Sequence, residues 1–469
     1  MSLLRGESGR GSPRPSTVAG LVLVIVTAVA GCGNDWQETS PSSNRAAPGA
    51  GGAGGEEAAA PRPTTEVSID ADPEELVPVD APGVTDTEIR VGGVASVTNP
   101  IGGRWGDSFE GVKAYFDMVN EQGGVHGRQL VLAEERDDQM ANNATEVQRL
   151  IGGDVFAVLP VAGPLFTGSE LLVREGVPTF GWAIGTDWEG ADRPNLFGQA
   201  GSFLCIGCER ASAAWPAQEA GADKVGILAY GVPQSAGCAD GSRRSIEATS
   251  DVTGIEVAFF DQALPYGMSD LSVQVSRMKD EDVGFVITCL DTNGVVTLAR
   301  EIRRQGLDAA IYQPNGYDHR ILAEYGDLLE GSIVRTDFVQ FEYEPAPPGL
   351  EDYLHYVEAR SATPSENSMV GWLNADLFVT GLREAGPDFS REKLIAAVNS
   401  LTDHTADGLL PGTDWTTAHE QVKECSFYSR VEDGEFVPLG DGSQPFVCPV
   451  IDDDELVLVP PSEAEEVSR

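Results

Sequence analysis

The stretch that decides the fold covers residues 89–138 and reads IRVGGVASVTNPIGGRWGDSFEGVKAYFDMVNEQGGVHGRQLVLAEERDD. It opens with an apolar run rich in β-branched residues, 89–97, which is typical of a buried strand. A loop rich in Gly, Pro and Asn then breaks the strand and leaves backbone amides free. After the loop, apolar residues recur at the spacing of a helix with one buried face, at Val112, Tyr115, Phe116 and Val119.

A second strand follows this helix. Gly123 and Gly124 end the helix, and residues 128–134 alternate into an extended segment. A strand, a helix and a second strand in this order predict a βαβ unit with parallel strands. Open parallel sheets bind ligands beyond the carboxyl ends of their strands, so we expect a binding site at that edge.

The composition bounds the class of protein. A length of 469 residues suggests about two or three domains, and a hydrophobic content of 41% is enough for sizeable cores. The formal net charge of −43 argues against nucleic acid and anionic membrane surfaces, which need Lys and Arg clusters. A solvated acidic surface is the plainer interpretation of this charge. No D-x-D-x-D-G spacing supports a metal site, so no metal is expected.

The N-terminus has the pattern of an export signal. Arginines precede an apolar run, 18–30, that is too short to span a membrane comfortably. The run ends in Val-Ala-Gly-Cys32, which looks like the lipobox of a bacterial lipoprotein. We predict cleavage before Cys32 and lipidation of its thiol, which would anchor the chain to the outer face of the cytoplasmic membrane. An ordinary signal peptide with an incidental cysteine is the alternative.

Residues 33–85 consist mainly of Ser, Gly, Ala, Pro and Glu, with few large apolar side chains. Such a segment cannot bury a core, and we expect a disordered tether. As a flexible coil it would reach on the order of 40 Å from the membrane.

An even number of cysteines remains after Cys32: Cys205, Cys208, Cys238, Cys289, Cys425 and Cys448. In an exported chain this favours disulfides over metal ligation. The last two flank a hairpin-like stretch and are expected to pair. The middle two lie near the ends of apolar strands and can meet, which leaves the first two to close on each other. A redox-active CxxC motif is the alternative for that first pair.

Strand and helix patterns continue to alternate along the chain. Strands are predicted at 155–161, 177–182, 225–230, 255–260, 283–290 and 311–315, with helices between them at 144–151, 169–175, 242–249, 271–278 and 295–304. Two such series predict an α/β fold of two doubly wound parallel-sheet lobes. Residues 332–336 are expected to return to the first lobe, whose sheet is then covered by helices at 350–360, 369–385 and 391–400. Residues 425–438 either return to the second lobe or pack at the hinge, and the acidic tail beyond Ile451 is expected to fray.

No catalytic centre is evident in the sequence. The segment that begins at His419 and Glu420 resembles H-E-x-x-H but lacks the second histidine. Neither a G-x-S-x-G elbow nor a G-x-x-x-x-G-K-[ST] phosphate loop occurs. We therefore expect a protein that is not an enzyme and uses no cofactor, with an extracellular enzyme as the weakest alternative.

The chain resembles the type I periplasmic-binding-protein fold, in particular the branched-chain-amino-acid substrate-binding proteins of ABC importers. The resemblance is carried by IRVGGVASVT, PIGGRWGDSFEGVKAYFDMVNEQGGVHGRQL and EERDD, and it extends over residues 86–434. It implies two lobes joined by a hinge, a small-molecule ligand between them, and ABC permease subunits as partners. Contact with the membrane would be through the lipid anchor only, and we expect a monomer that binds no nucleic acid. A receptor that reports to a signalling partner is the alternative.

The resemblance also implies the domain boundaries. They are a signal peptide (1–31), a tether (32–85), the first part of lobe 1 (86–203), lobe 2 (204–333), the second part of lobe 1 (334–410), a return to lobe 2 or the hinge (411–450) and an acidic tail (451–469).

Ligand contacts follow from the same resemblance: Trp105, Gly163, Thr167, Ile184 and Thr186 on the first lobe, and Gln234, Asp291 and Asn315 on the second. Gly163 would allow close backbone approach, Thr167 and Thr186 would donate hydroxyls, and Ile184 would offer its backbone. Trp105 would wall the pocket, or else be a plain surface aromatic.

Two of these positions depart from the amino-acid binders of the family. The loop 161–167 has Gly-Pro-Leu-Phe-Thr where the family has serines for a ligand carboxylate, and Asn315 stands where the family has a carboxylate for the ammonium. Asp291 could supply that charge from the neighbouring loop, or simply cap a helix. We therefore expect a ligand that is not a standard branched-chain amino acid.

Overall fold

The computed structural model describes residues 76–314, 316–440, 442–464 and 466–468. The proposed signal peptide, Cys32, most of the tether and Asn315 lie outside the described residues. Within the described part, no helix is long and apolar enough to cross a membrane.

The first lobe is built on a five-stranded parallel sheet in the order β2-β1-β3-β4-β5. Its strands are β1 (Glu88–Ala95), β2 (Gln129–Asp137), β3 (Ala157–Ala162), β4 (Thr179–Gly181) and β5 (Leu196–Gly198). The helices between them are α1 (Asp107–Glu121), α2 (Asn143–Ile151) and α3 (Ser169–Arg174). This order confirms the predicted βαβ unit and places the change in winding direction between β1 and β3.

The second lobe repeats the same winding in a seven-stranded sheet. Its first five strands are β6 (Lys224–Tyr230), β7 (Glu256–Leu264), β8 (Phe285–Cys289), β9 (Ala310–Gln313) and β10 (Ile333–Thr336). They lie in the order β7-β6-β8-β9-β10 and are all parallel. The accompanying helices are α4 (Trp215–Glu219), α5 (Pro233–Thr253), α6 (Ser272–Asp280), α7 (Thr292–Gln305) and α8 (His319–Leu329).

The expectation that residues 332–336 return to the first lobe is wrong. This segment is β10, and it pairs in parallel with β9 inside the second sheet. Its other neighbour comes from about 90 residues further along the chain, where Thr336 pairs with Phe427 in an antiparallel ladder. Pairing with a strand so far along the chain produces no local sequence pattern, so the sequence does not indicate the lobe to which residues 332–336 belong.

The chain returns to the first lobe only after β10, through α9 (Pro348–Ala359), α10 (Glu366–Ala385) and α11 (Arg391–Val398). Helix α10 packs closely against α1, and the Tyr115 and Trp372 rings meet edge to face at 4.8 Å. Glycines permit this approach: a Cβ at Gly111 would overlap the carbonyl of Ser368, and one at Gly371 would overlap the backbone of Ser108. The N-termini of α1 and α10 are thereby held side by side.

The C-terminal segment completes the second lobe. Its strands are β11 (Gln421–Lys423), β12 (Phe427–Glu432), β13 (Glu435–Pro438), β14 (Cys448–Asp452), β15 (Glu455–Val459) and β16 (Glu466–Ser468). Strands β12 and β13 extend the second sheet, which settles where residues 425–438 belong. The expectation of a frayed tail beyond Ile451 is wrong, because β14 and β15 form a hairpin and β16 pairs with β11.

The structure contains the three disulfides that the sequence favours: Cys205–Cys208, Cys238–Cys289 and Cys425–Cys448. The second joins α5 to the end of β8, and the third ties the C-terminal hairpin to the segment before β12.

Three segments cross between the lobes, after β5, after β10 and after α11. Polar side chains tie them together. Asp337 accepts hydrogen bonds from Gln199 at 3.0 Å and from Arg335 at 2.6 Å, and Arg335 donates to Ser426 at 2.6 Å. These bonds join all three crossings.

Candidate functional site

The cleft is bordered by the strand ends where each sheet changes its winding direction. In the first lobe these are the ends of β1 and β3, and in the second the ends of β6 and β8. Ser96 follows β1, is fully buried, and donates to Asp138 at 2.7 Å. Gly163 follows β3, and a Cβ there would overlap the Ser96 hydroxyl. Gly163 therefore lies at the predicted edge, where its lack of a side chain lets the two strand ends pack together.

Two tryptophans form an apolar wall at this edge. The rings of Trp105 and Trp182 lie 6.5 Å apart, and both belong to one cluster with Ile184 and Val370. Trp105 is only 7% exposed, so the alternative of a plain surface aromatic is wrong. Its indole Nε1 is buried and has no hydrogen-bond partner among the described residues. A buried donor left in this state costs about 1–3 kcal/mol, which a ligand acceptor would recover.

The two lobes approach each other beside this wall. Gln234, in the first turn of α5, reaches the loop after β4, where a Cβ at Gly185 would lie 2.6 Å from its Nε2 atom. Gln234 is half-buried, and Ile184 next to Gly185 packs against the tryptophans. The amide of Ile184 already donates to the carbonyl of Trp182 at 3.0 Å. The structure thus brings Gln234 to Gly185. The side chain of the preceding Ile184, rather than its N–H, lines the wall.

The two predicted threonines lie elsewhere. Thr167 is exposed, and its hydroxyl accepts a hydrogen bond from the amide of Ala144 at the start of α2. Thr186 is also exposed, in the short helical turn Thr186–Trp188. The described contacts bring neither side chain to the tryptophan wall.

Several polar groups on the second-lobe wall already have hydrogen-bond partners within the protein. Asp291 caps α7 by accepting from the amide of Gly294 at 2.8 Å, and it also accepts from the Tyr230 hydroxyl at 3.2 Å. Burial, followed by the nearby Asp291 carboxylate, raises the pKa of Tyr230 well above its ordinary value, so its hydroxyl stays protonated. Ser235 donates to the carbonyl of Cys289, which holds the first turn of α5 against β8. The structure therefore shows the helix-cap role for Asp291.

Charged groups line the side of the cleft nearest the crossing segments. Arg104 pairs with Asp107 at 2.8 Å, and this hydrogen bond, with a smaller contribution from Asp318 of the second lobe, raises the pKa of Arg104. Asp318 itself caps α8 and pairs with Arg320. Glu366, at the first position of α10, also lies close enough to Asp318 to interact with it.

Glu366 is the residue that the sequence interpretation missed. An acid in the first turn of a helix is a common favourable pattern, so it attracts no attention in the sequence. Among the described residues, no group of three or more His, Cys, Asp or Glu side chains is arranged to hold a metal ion. The candidate site combines the aromatic wall of Trp105 and Trp182 with the carboxylate of Glu366.

This arrangement belongs to a class of two-lobed binding proteins. The chain belongs to the periplasmic binding protein family, whose model matches residues 88–435, and its fold is the type I fold of that family. No curated protein sequence matches the chain significantly.

Several solved structures are similar to the chain, and three of them illustrate the range. A branched-chain amino acid ABC transporter protein from Thermus thermophilus with bound valine is 17% identical, with a TM-score of 0.62 over 77% of this chain and 96% of that one. A fatty acid ABC transporter substrate-binding protein from Thermomonospora curvata is 19% identical, with a TM-score of 0.61 over 82% and 94%. A solute-binding protein from R. palustris in complex with 4-hydroxybenzoate is 19% identical, with a TM-score of 0.59 over 75% and 95%. Likeness at this level of identity shows the fold alone.

Proposed function

We propose that this chain is an extracytoplasmic solute-binding lipoprotein that captures a small polar ligand between its lobes and delivers it to an ABC permease. The observation that carries the proposal is the contact between lobes at Gln234 and Gly185 beside the Trp105 and Trp182 wall. A ligand that touches both lobes is held only when they are closed, so binding favours the closed state. The family and the solved neighbours support the same function.

The ligand is proposed to be amino-acid-like or amide-like, and not a standard branched-chain amino acid. A valine complex, a fatty acid transporter protein and a 4-hydroxybenzoate complex share this fold, so the fold alone does not determine the ligand. In this chain the serine-rich carboxylate cradle is absent from the sequence of residues 161–167, and Asp291 is already used as a cap. Asn315 would contribute an amide that both donates and accepts.

Native mass spectrometry of the full chain, purified without added ligand, tests this function. We expect a bound small molecule that is released on mild activation, at one per chain. A protein that carries no solute and binds none from a broad metabolite library would contradict the proposal.

Attachment through Cys32 is tested separately. The proposed route is export, cleavage after residue 31, lipidation of Cys32 and a tether over residues 32–85, with a monomeric body. We expect Cys32→Ala to release the protein from the membrane fraction or to leave an uncleaved precursor. Continued membrane retention of a processed form would contradict the anchor without affecting the solute-binding proposal.

A further inference from the structure

One face of α10 leads from the first sheet into the cleft. Asn374 donates to the carbonyl of Gly181, the last residue of β4, at 3.2 Å. One turn earlier, Val370 packs in the cluster of Trp105 and Trp182. Residues four apart share a helix face, so Glu366 lies one further turn along this line, about 6 Å beyond Val370. Glu366 therefore lies one helical turn beyond the tryptophan wall, at the end of α10 that faces the second lobe and the crossing segments.

The surroundings of Glu366 come from both lobes and a crossing segment. Burial, followed by the carboxylates of Asp337 on the crossing and Asp318 on the second lobe, raises the pKa of Glu366 to about 8, against a smaller opposing effect of Arg335. On the α1 side, the Asp107 carboxylate accepts from the hydroxyl of the neighbouring Ser365 at 3.2 Å and is paired with Arg104.

The other charged groups around Glu366 have partners. Asp337 pairs with Arg335, Asp107 with Arg104, and Asp318 with Arg320. Glu366 has no hydrogen-bond or ion-pair partner among the described residues, although its side chain is only partly exposed. On the tryptophan wall, the indole Nε1 of Trp105 is buried without a partner among the described residues, on a side chain that is 7% exposed.

We propose that Glu366 and the faces of Trp105 and Trp182 form the binding subsite for the cationic group of the ligand. A carboxylate supplies the opposite charge that a desolvated cation requires. Aromatic faces attract cations through the ring quadrupole, most strongly in tryptophan. This inference rests on the proposed solute-binding function and names its ligand class, an organic cation such as an amine or a quaternary ammonium compound.

Matched pairs of cations and uncharged analogues test the subsite. The probes are 3-methylbutylamine with 3-methylbutan-1-ol, leucinamide with 4-methylpentanamide, and choline with 3,3-dimethylbutan-1-ol, titrated by calorimetry into the full chain. We expect at least one cation to bind tenfold or more tightly than its uncharged partner. Glu366→Gln, which keeps the side-chain shape, should abolish that preference.

Glu384→Gln is the matched control, because Glu384 is an exposed acid at the other end of the same helix. It should keep the wild-type preference for the cation. The subsite is contradicted if no cation is preferred over its partner, or if Glu366→Gln retains the preference. If the co-purified solute is neutral or anionic and is held equally by Glu366→Gln, this inference fails while the solute-binding function stands.

Proton release gives an independent readout. Because the pKa of Glu366 is raised to about 8, its side chain is mostly protonated at pH 7. It must therefore ionise to hold a cation. Binding of the cation that the panel selects should then release close to one proton at pH 7, beyond any change in the ionisation of the cation itself. Calorimetry in two buffers of different ionisation enthalpy measures this number. Cation binding without proton release would contradict the role of Glu366.

Discussion

The polar groups beside β6 and β8 in the second lobe and those beside the tryptophan wall of the first lobe differ in how far they are already satisfied. On the second-lobe wall, Asp291 accepts from Gly294 and Tyr230, and the second turn of α5 is joined to the end of β8 by the Cys238–Cys289 disulfide. On the first-lobe wall, the indole N–H of Trp105 is buried without a partner among the described residues, and the half-buried Glu366 makes neither a hydrogen bond nor an ion pair with them. A ligand gains most where buried groups lack partners. We infer that the first lobe selects the ligand and that the second lobe is a stiff surface that closes over it.

The largest expected effect is on stability, and it comes from removing the disulfide that joins α5 to β8 in the second-lobe wall. Replacing both Cys238 and Cys289 by Ser removes a cross-link with a sequence separation of 51 and should lower the free energy of unfolding by about 4 kcal/mol in the chain-entropy model. Replacing Cys205 and Cys208, which are three residues apart, should cost about 2 kcal/mol. Denaturant titration compares the two variants. Equal losses, or free thiols at Cys238 and Cys289 in the wild type, would contradict the stiff-wall account.

The next largest effect is on ligand affinity, and it comes from substituting Trp105 on the first-lobe wall. Trp105→Ala removes the aromatic face and should weaken ligand binding at least a hundredfold, about 2.7 kcal/mol. Trp105→Phe keeps an apolar face but lacks the N–H, and should weaken binding about tenfold. Trp415→Phe is the control, because the Trp415 indole is likewise buried without a partner but belongs to a different apolar cluster. If Trp105→Phe and Trp415→Phe have the same ligand affinity in calorimetry, the N–H of Trp105 does not bind the ligand.

The smallest effect is expected on the second-lobe wall. Asparagine caps helices about as well as aspartate, so Asp291→Asn should change the free energy of unfolding by less than about 0.5 kcal/mol. Because Asp291 is already used as a cap, ligand affinity should change by less than about twofold. Calorimetry with leucine, isoleucine, valine and the co-purified solute checks this expectation. Micromolar binding of leucine that Asp291→Asn abolishes would move the ammonium site to the second lobe.

The sequence predicts much of this architecture because its apolar periodicity is local. The unit β1-α1-β2, the strands β3, β4 and β6 to β9, and the Cys425–Cys448 disulfide follow from spacing and composition. The three-residue strand β5 is too short to give such a pattern, and for the other four cysteines the sequence leaves the pairing open. Helix α5 begins at Pro233, nine residues before its predicted start, because its first turn is small and polar and is held by Ser235 and the Cys238 disulfide. Strand β10 belongs to the second sheet, contrary to the prediction from sequence, because its partner β12 is far away along the chain and leaves no local pattern.

The candidate site could be predicted only in part. The resemblance identified Trp105 and Gln234, which the structure places along the cleft, but it also identified Thr167 and Thr186, whose exposed side chains lie elsewhere. Glu366 could not be found, because its importance depends on α10 packing beside a loop from the other end of the chain. Such long-range packing is determined by the fold and leaves no local pattern.

The most direct test of the account is a crystal structure of the chain with its co-purified solute. We predict that the solute lies between the lobes, with its cationic group against Glu366, Trp105 and Trp182 and its opposite side facing Tyr230 and Gln234. A solute bound instead in the surface hollow between α1 and α9, beside His355 and Arg360, or in the cavity among the crossing segments, beside Lys423, would contradict the account.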